Sequence, residues 1–136
     1  MIVRTLVAAA LAALLAVSAA AAQDAPWPDT PTLQTQMFFG MHGPDGNGVS
    51  EQEWGAFVQD VISPRFPDGL TIIAAYGQGS SGPPGGIVAE NSKLLIVVHE
   101  NTPEAQAKFV EIEAAYKDTF GRKGVFRVDF PARIAN

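Results

Sequence analysis

The stretch Ser50 to Gln78, SEQEWGAFVQDVISPRFPDGLTIIAAYGQ, reads as a helix, a corner and a strand in that order. Ser50 stands at an N-cap with Glu53 at the third helical position, the capping-box pair that satisfies backbone N–H groups left open at a helix start. Val49 before the cap and Trp54 at the fourth helical position form a hydrophobic staple. Trp54, Phe57, Val58 and Val61 follow at helical spacing, and this single apolar stripe reads as core rather than as a binding box. Proline disfavours helical geometry in the residue before it, so Ser63-Pro64 stops the helix and Phe66-Pro67-Asp68-Gly69 turns the chain. Arg65 falls where a cation meets the last helix carbonyls favourably, and Phe66 is expected to plug the core. Leu70 to Gln78 then reads as an apolar, buried strand.

Working outward, Leu33 to His42 fits a first strand with Met37, Phe39 and Met41 on one face and Gln36, Phe38, Gly40 and His42 on the other. Gly43 to Gly48 is turn chemistry. Its Asp45 and Asn47 hint at a calcium loop, but an EF-hand needs glycine where Ser50 stands and a carboxylate where Ala56 stands. Gly79 to Gly86, GSSGPPGG, lacks the lysine and following Ser/Thr of a phosphate-binding loop and precedes a strand, so it reads as a hairpin connection. Ile87 to His99 holds the apolar run Leu94 to Val98 of a central strand, with an irregularity expected at Glu90-Asn91-Ser92 that would flip Lys93 from one face to the other. Thr102 caps a second helix with Pro103 at its first position. Ala105, Phe109, Ile112, Tyr116 and Phe120 form its buried stripe, and Gly121 ends it. In Val125 to Phe130 the alternation assigns Phe126, Val128 and Phe130 inward and Arg127 and Asp129 outward. The order β-α-β-β-α-β predicts an α+β fold of the ferredoxin-like, split βαβ kind: an antiparallel sheet in order 4-1-3-2 with two helices on one face and the other face uncovered.

The chain has 136 residues, enough for one domain. Residues 1-22 read as a cleaved secretory signal peptide: one positive charge at Arg4, an Ala/Leu/Val run from Leu6 to Val17, and small residues at Ala20 and Ala22 for cleavage near Ala22. The run is shorter than the roughly 20 apolar residues a membrane span needs. Residues 23-34 form an extended Pro-rich leader and 35-136 a single α+β domain. The expected location is secreted or periplasmic. Removing Arg4 from the 9 basic residues leaves 8 against 14 acidic ones, a net charge of −6. With no Lys/Arg cluster, neither nucleic acid nor, after cleavage, membrane is an expected partner. The absence of cysteine excludes lipid acylation, disulfides and thiolate chemistry, so stability must come from a core.

Several segments together resemble the bacterial secreted domain-of-unknown-function 3574 family. They are FFG at Phe38 to Gly40, VSEQEW at Val49 to Trp54, SPRFPDGLT at Ser63 to Thr71, YGQ at Tyr76 to Gln78, IVAENSKLLIVVH at Ile87 to His99, AAYKDTFG at Ala114 to Gly121 and RVD at Arg127 to Asp129. The resemblance spans roughly Met37 to Ala132. It implies no activity, substrate or catalytic residue. The chain departs from the family pattern at Gly79, where an aromatic often follows the GQ pair, and in its neutral hairpin tip.

The uncovered sheet face is where alternation puts candidate chemistry: Phe38 and His42, then Lys93, Leu95, Val97 and His99, then Arg127 and Asp129. A face half apolar and half ionisable suits a homodimer interface or the wall of a cavity for a small-molecule ligand. His42 and His99 end strands that run in opposite directions, so no metal site is expected of them, and no cofactor is expected. At the sheet end where strands 1 and 2 finish, Tyr76, Gln78, Lys93 and Arg127 are candidate ligand-binding residues and His42 a candidate general base, with Glu90 beside them. The alternative for Arg127 is a structural pair with Glu90 or Asp129. Two functions remain open: small-ligand binding or dimerisation with no assigned reaction, and a cofactor-free enzyme of the dimeric α/β barrel type, a monooxygenase or isomerase acting on a small anionic or carbonyl compound.

Overall fold

The structure, a computed structural model, describes residues 29–42, 47–79, 86–121 and 125–135. The expected signal peptide, the start of the Pro-rich leader, residues 43–46 of the expected turn and the tip of the Gly79 to Gly86 loop lie outside these residues.

Chain order is β1 (Thr32–Gly40), α1 (Glu51–Phe57), β2 (Thr71–Gly79), β3 (Val88–Glu100), α2 (Pro103–Phe120) and β4 (Phe126–Pro131). The strands form one antiparallel sheet in order β2-β3-β1-β4, the neighbour relations of 4-1-3-2 counted from the opposite edge. β1 begins at Thr32, inside the stretch expected as a leader. Met37, Phe39, Leu95 and Val97 share one face of the sheet, and Trp54 and Phe57 of α1 with Phe109, Ile112 and Tyr116 of α2 close over them as one core.

The helix signals are realised atom by atom. Ser50 Oγ accepts from Glu53 N–H while Glu53 accepts from Ser50 N–H at 2.8 Å. Thr102 Oγ1 accepts from Ala105 N–H at 3.1 Å, and Gly121 closes α2 at φ 62°, a left-handed conformation that glycine adopts without Cβ strain. After α1 the chain widens into a π-helical turn (Val58–Ile62) and tightens into a 3-10 turn (Ser63–Arg65). The extra residue in the wide turn rotates the stripe, so Ile62 is fully buried and Val61 only half-buried. Arg65 Nη1 donates to the Val61 carbonyl at 2.6 Å and Nε to Glu111 at 3.1 Å, while Phe66 packs on Phe109 with ring centroids 5.0 Å apart.

Two face assignments and one burial reading differ from those expected. β3 pairs with β2 in unbroken register through Ser92, Asn91 and Glu90, and with β1 as far as Ser92, with no bulge. Its residues Lys93, Leu95, Val97 and His99 sit opposite Phe39, Met37, Thr35 and Leu33, so they face the helices, not the open side. In β4, Arg127 and Asp129 sit opposite Met37 and Thr35 and are likewise turned inward, leaving Phe126, Val128 and Phe130 on the open face. β2 is an edge strand and mostly exposed rather than buried.

Candidate functional site

A polar network runs between the sheet and α2, where an apolar core would be expected. Thr35 is fully buried in the middle of the central strand. Its hydroxyl donates to Asp129 Oδ1 at 2.5 Å and lies 2.7 Å from His99 Nε2. Asp129 accepts a forked pair from Arg127, Nε at 3.1 Å to Oδ1 and Nη2 at 2.9 Å to Oδ2. Arg127 Nη2 also donates to Gln106 Oε1 of α2. Phe109 roofs the group, its ring centroid 4.8 Å from that of His99 and 4.9 Å from the guanidinium carbon of Arg127. A charge placed beneath a helix must be paired and hydrogen-bonded, and here each one is.

Proton accounting singles out His99. The Glu100 carbonyl, 2.8 Å from Nδ1, can only accept, so Nδ1 carries hydrogen. With a neutral ring, Nε2 is then an acceptor, and the single Thr35 hydroxyl hydrogen faces two acceptors, Nε2 and Asp129 Oδ1. A second ring proton would complete a donor chain from Nε2 through Thr35 to Asp129. Burial opposes that proton and holds the imidazole below its ordinary value, against the Glu100 carbonyl and Asp129, which raise it, and with Arg127 and Lys108, which lower it further.

His99 also forms part of the wall of a cavity of about 490 Å³ at the end of the sheet where β3 finishes. Thr32, Phe66, Val97, Thr102 and Lys108 share that wall, so the cavity lies between the Arg65-to-Gly69 corner, the first turn of α2 and the strand ends. Lys108 Nζ stands 5.7 Å from the Phe66 ring centre, and Arg65 is committed to Glu111. The floor is thus half apolar and the rim polar, a combination that orients small organic molecules.

The residues singled out in the sequence are not gathered into one cluster. Lys93 is buried and bound to Glu51 at 2.7 Å, with Tyr76 and Gln78 on the same side of the sheet at the same end. Tyr76 is 66% exposed and accepts from Gln78 Nε2 at 3.4 Å. His42 bridges to Gly48 with its side chain exposed, and its backbone N–H meets Glu90 Oε1 at 3.4 Å on the open side. Arg127 is separated from Lys93 by the whole of β1 and is held by Asp129. Of its two expected alternatives, the structural pair with Asp129 is the one present.

Thr35 and Gln106 were not marked by motif or spacing, and Phe109 was marked only as part of the buried stripe of α2. The signal available for Thr35 was its place between Leu33 and Met37 on an otherwise apolar face: a lone polar residue there needs a buried partner.

A family model described as "Protein of unknown function (DUF3574)" matches residues 34–135. No curated protein matches the chain. Among solved structures, phage SAM lyase in complex with S-methyl-5'-thioadenosine is similar with a TM-score of 0.57, at 16% identity, over 75% of this chain and 82% of that chain. Phage SAM lyase in the apo state gives 0.50 at 16% identity, over 76% of this chain and 92% of the other. At that identity the likeness is one of fold.

Proposed function

The chain belongs to the DUF3574 family of proteins of unknown function, and from this starting point we propose that it is an exported small-ligand-binding domain on a ferredoxin-like scaffold. The observation that carries the reading is the cavity of about 490 Å³ walled by His99, Phe66, Thr102 and Lys108. Its volume suits a ligand of nucleoside size, since such sites run from about 300 to 1,000 Å³. Phage SAM lyase, similar in fold, is known with S-methyl-5'-thioadenosine, a molecule of that size, which makes it a reasonable first probe. The buried network beneath Phe109 supplies a rigid back wall, because His99 is fixed through both ring nitrogens. For the same reason His99 is a positioning group rather than a free base, and no reaction is assigned. Export rests on the Met1 to Ala22 pattern. Tyr76, Gln78 and Lys93 remain a secondary polar patch at the other end of the sheet.

A fragment screen by NMR, with S-methyl-5'-thioadenosine and adenosine included, tests the reading. Shift changes are expected to concentrate on Thr32, Phe66, His99 and Lys108, and Ala105→Trp, which fills the cavity, is expected to abolish them. Hits that cluster elsewhere, or none at all, would sink the proposal.

A further inference from the structure

The sheet face turned away from the helices carries no charged side chain across its middle; Glu90 and Glu100 mark its two ends. Strand register sets one row across it from β4 to β2, Phe126, Phe38, Leu94 and Ile73, and a second of Val128, Gln36, Ile96 and Thr71. Phe126 is 68% exposed, and Ile73, Val98 and Phe130 are exposed with it.

We propose that this face is covered by the same face of a second copy, related by a two-fold axis running parallel to the strands. Charge favours a second copy over another partner. The protein carries a net charge of −5, so two copies repel unless they meet on an uncharged surface, and a basic partner would find acids only at the two ends of this face, Glu90 and Glu100, and none across its middle. Shape selects the axis. One half of the face, β4 and β1, is aromatic, with Phe38 and Phe126 packed at 5.6 Å between ring centroids. The other half, β3 and β2, is aliphatic, and along β2 it narrows to Thr71, Ala75 and Gly77. A two-fold parallel to the strands lays β4 of one copy over β2 of the other, so Phe126 meets Ile73 and a tall row meets a low one. A two-fold across the strands would set β4 on β4, one aromatic row on another.

The two Gln36 side chains then flank the axis one strand spacing apart, close enough for their amides to pair across it, as buried amides require. Four strands about 4.8 Å apart and six residues at about 3.4 Å each make a patch of roughly 20 by 20 Å. Both copies together cover about 800 Å² in footprint, below the roughly 1,200–2,000 Å² of stable interfaces and within the range of transient ones, so the dimer is in exchange with monomer.

Sedimentation velocity of the purified protein across a hundred-fold range of concentration is expected to show the average mass rising from one copy towards two. Phe126→Glu is expected to weaken that association at least ten-fold with an unchanged thermal melt. Because the chain contains no cysteine, single thiols report the geometry without background. Phe126→Cys mixed with Ile73→Cys is expected to be joined by a short bis-maleimide matched to the roughly 10 Å between packed sheets, and neither variant alone to be cross-linked. The proposed axis sets the two Phe126 positions three strand spacings, about 14 Å, apart sideways in addition to that separation, beyond the reach of the same linker. A mass that stays monomeric, a dimer that survives Phe126→Glu, or a 126–126 cross-link would each overturn the proposal.

Discussion

At residue scale, Thr35 is the position where the sequence looks least remarkable and the structure asks most. Thr35→Val keeps the shape but removes the only hydroxyl between two buried acceptors. It is expected to destabilise by about 1–3 kcal/mol, read by urea unfolding. His99 gives the fold a pH dependence whose sign follows from burial. Its folded-state value lies below the ordinary 6.5, so the unfolded chain binds the extra proton first as pH falls. Stability is therefore complete above about 6.5 and is lost as pH drops from there towards the lowered folded value. Urea midpoints at pH 7.5 and 5.5 are expected to differ in the native protein and to converge in His99→Gln. A midpoint that rises on acidification would place the imidazolium, not the neutral ring, in the folded network.

At the scale of elements, both helix starts and the end of α2 were legible because a cap is a local matter of one or two side chains and the nearest backbone. Ser50→Ala is expected to cost about 1 kcal/mol. Gly121→Ala is expected to cost about as much, since alanine is strained at positive φ where nothing else crowds the position. Both can be measured by thermal unfolding. Strand facing was less legible, for a physical reason. The run Leu94 to Val98 is apolar at every position, so periodicity alone cannot say which side meets the helices. In β4 the rule that apolar residues point inward fails, because Arg127 and Asp129 neutralise one another under Phe109 while Phe126 and Phe130 stay on the open side. Only the long-range pairing of Thr35 with Asp129 fixes the choice, and no local window contains both. The π-helical turn that buries Ile62 in place of Val61 left no mark in composition either. The candidate site suffered most from the facing error. His42, Tyr76, Gln78 and Lys93 lie at the sheet end expected of them, but Lys93, Arg127 and His99 belong to a layer that alternation assigned to the wrong side.

At the scale of the whole molecule, β1 is both the first strand and one of the two interior strands, and it is flanked by β3 and by the last element in the chain. The bond between Thr35 and Asp129 spans 94 residues of sequence. Until residues 126–131 arrive, β1 has an unpaired edge and Thr35 lacks the Asp129 carboxylate that accepts from it. A chain ending at Gly121 retains both helices and three strands, yet it is expected to be unfolded by circular dichroism and to lose the urea transition. Joining chain ends so far apart carries a loop-closure entropy that must be met before the contact is formed, so folding is expected to be slow for a domain of this size. The ion pair beneath Phe109 thus acts as a clasp in time as well as in space: the last strand to be made supplies the charges that lock the first.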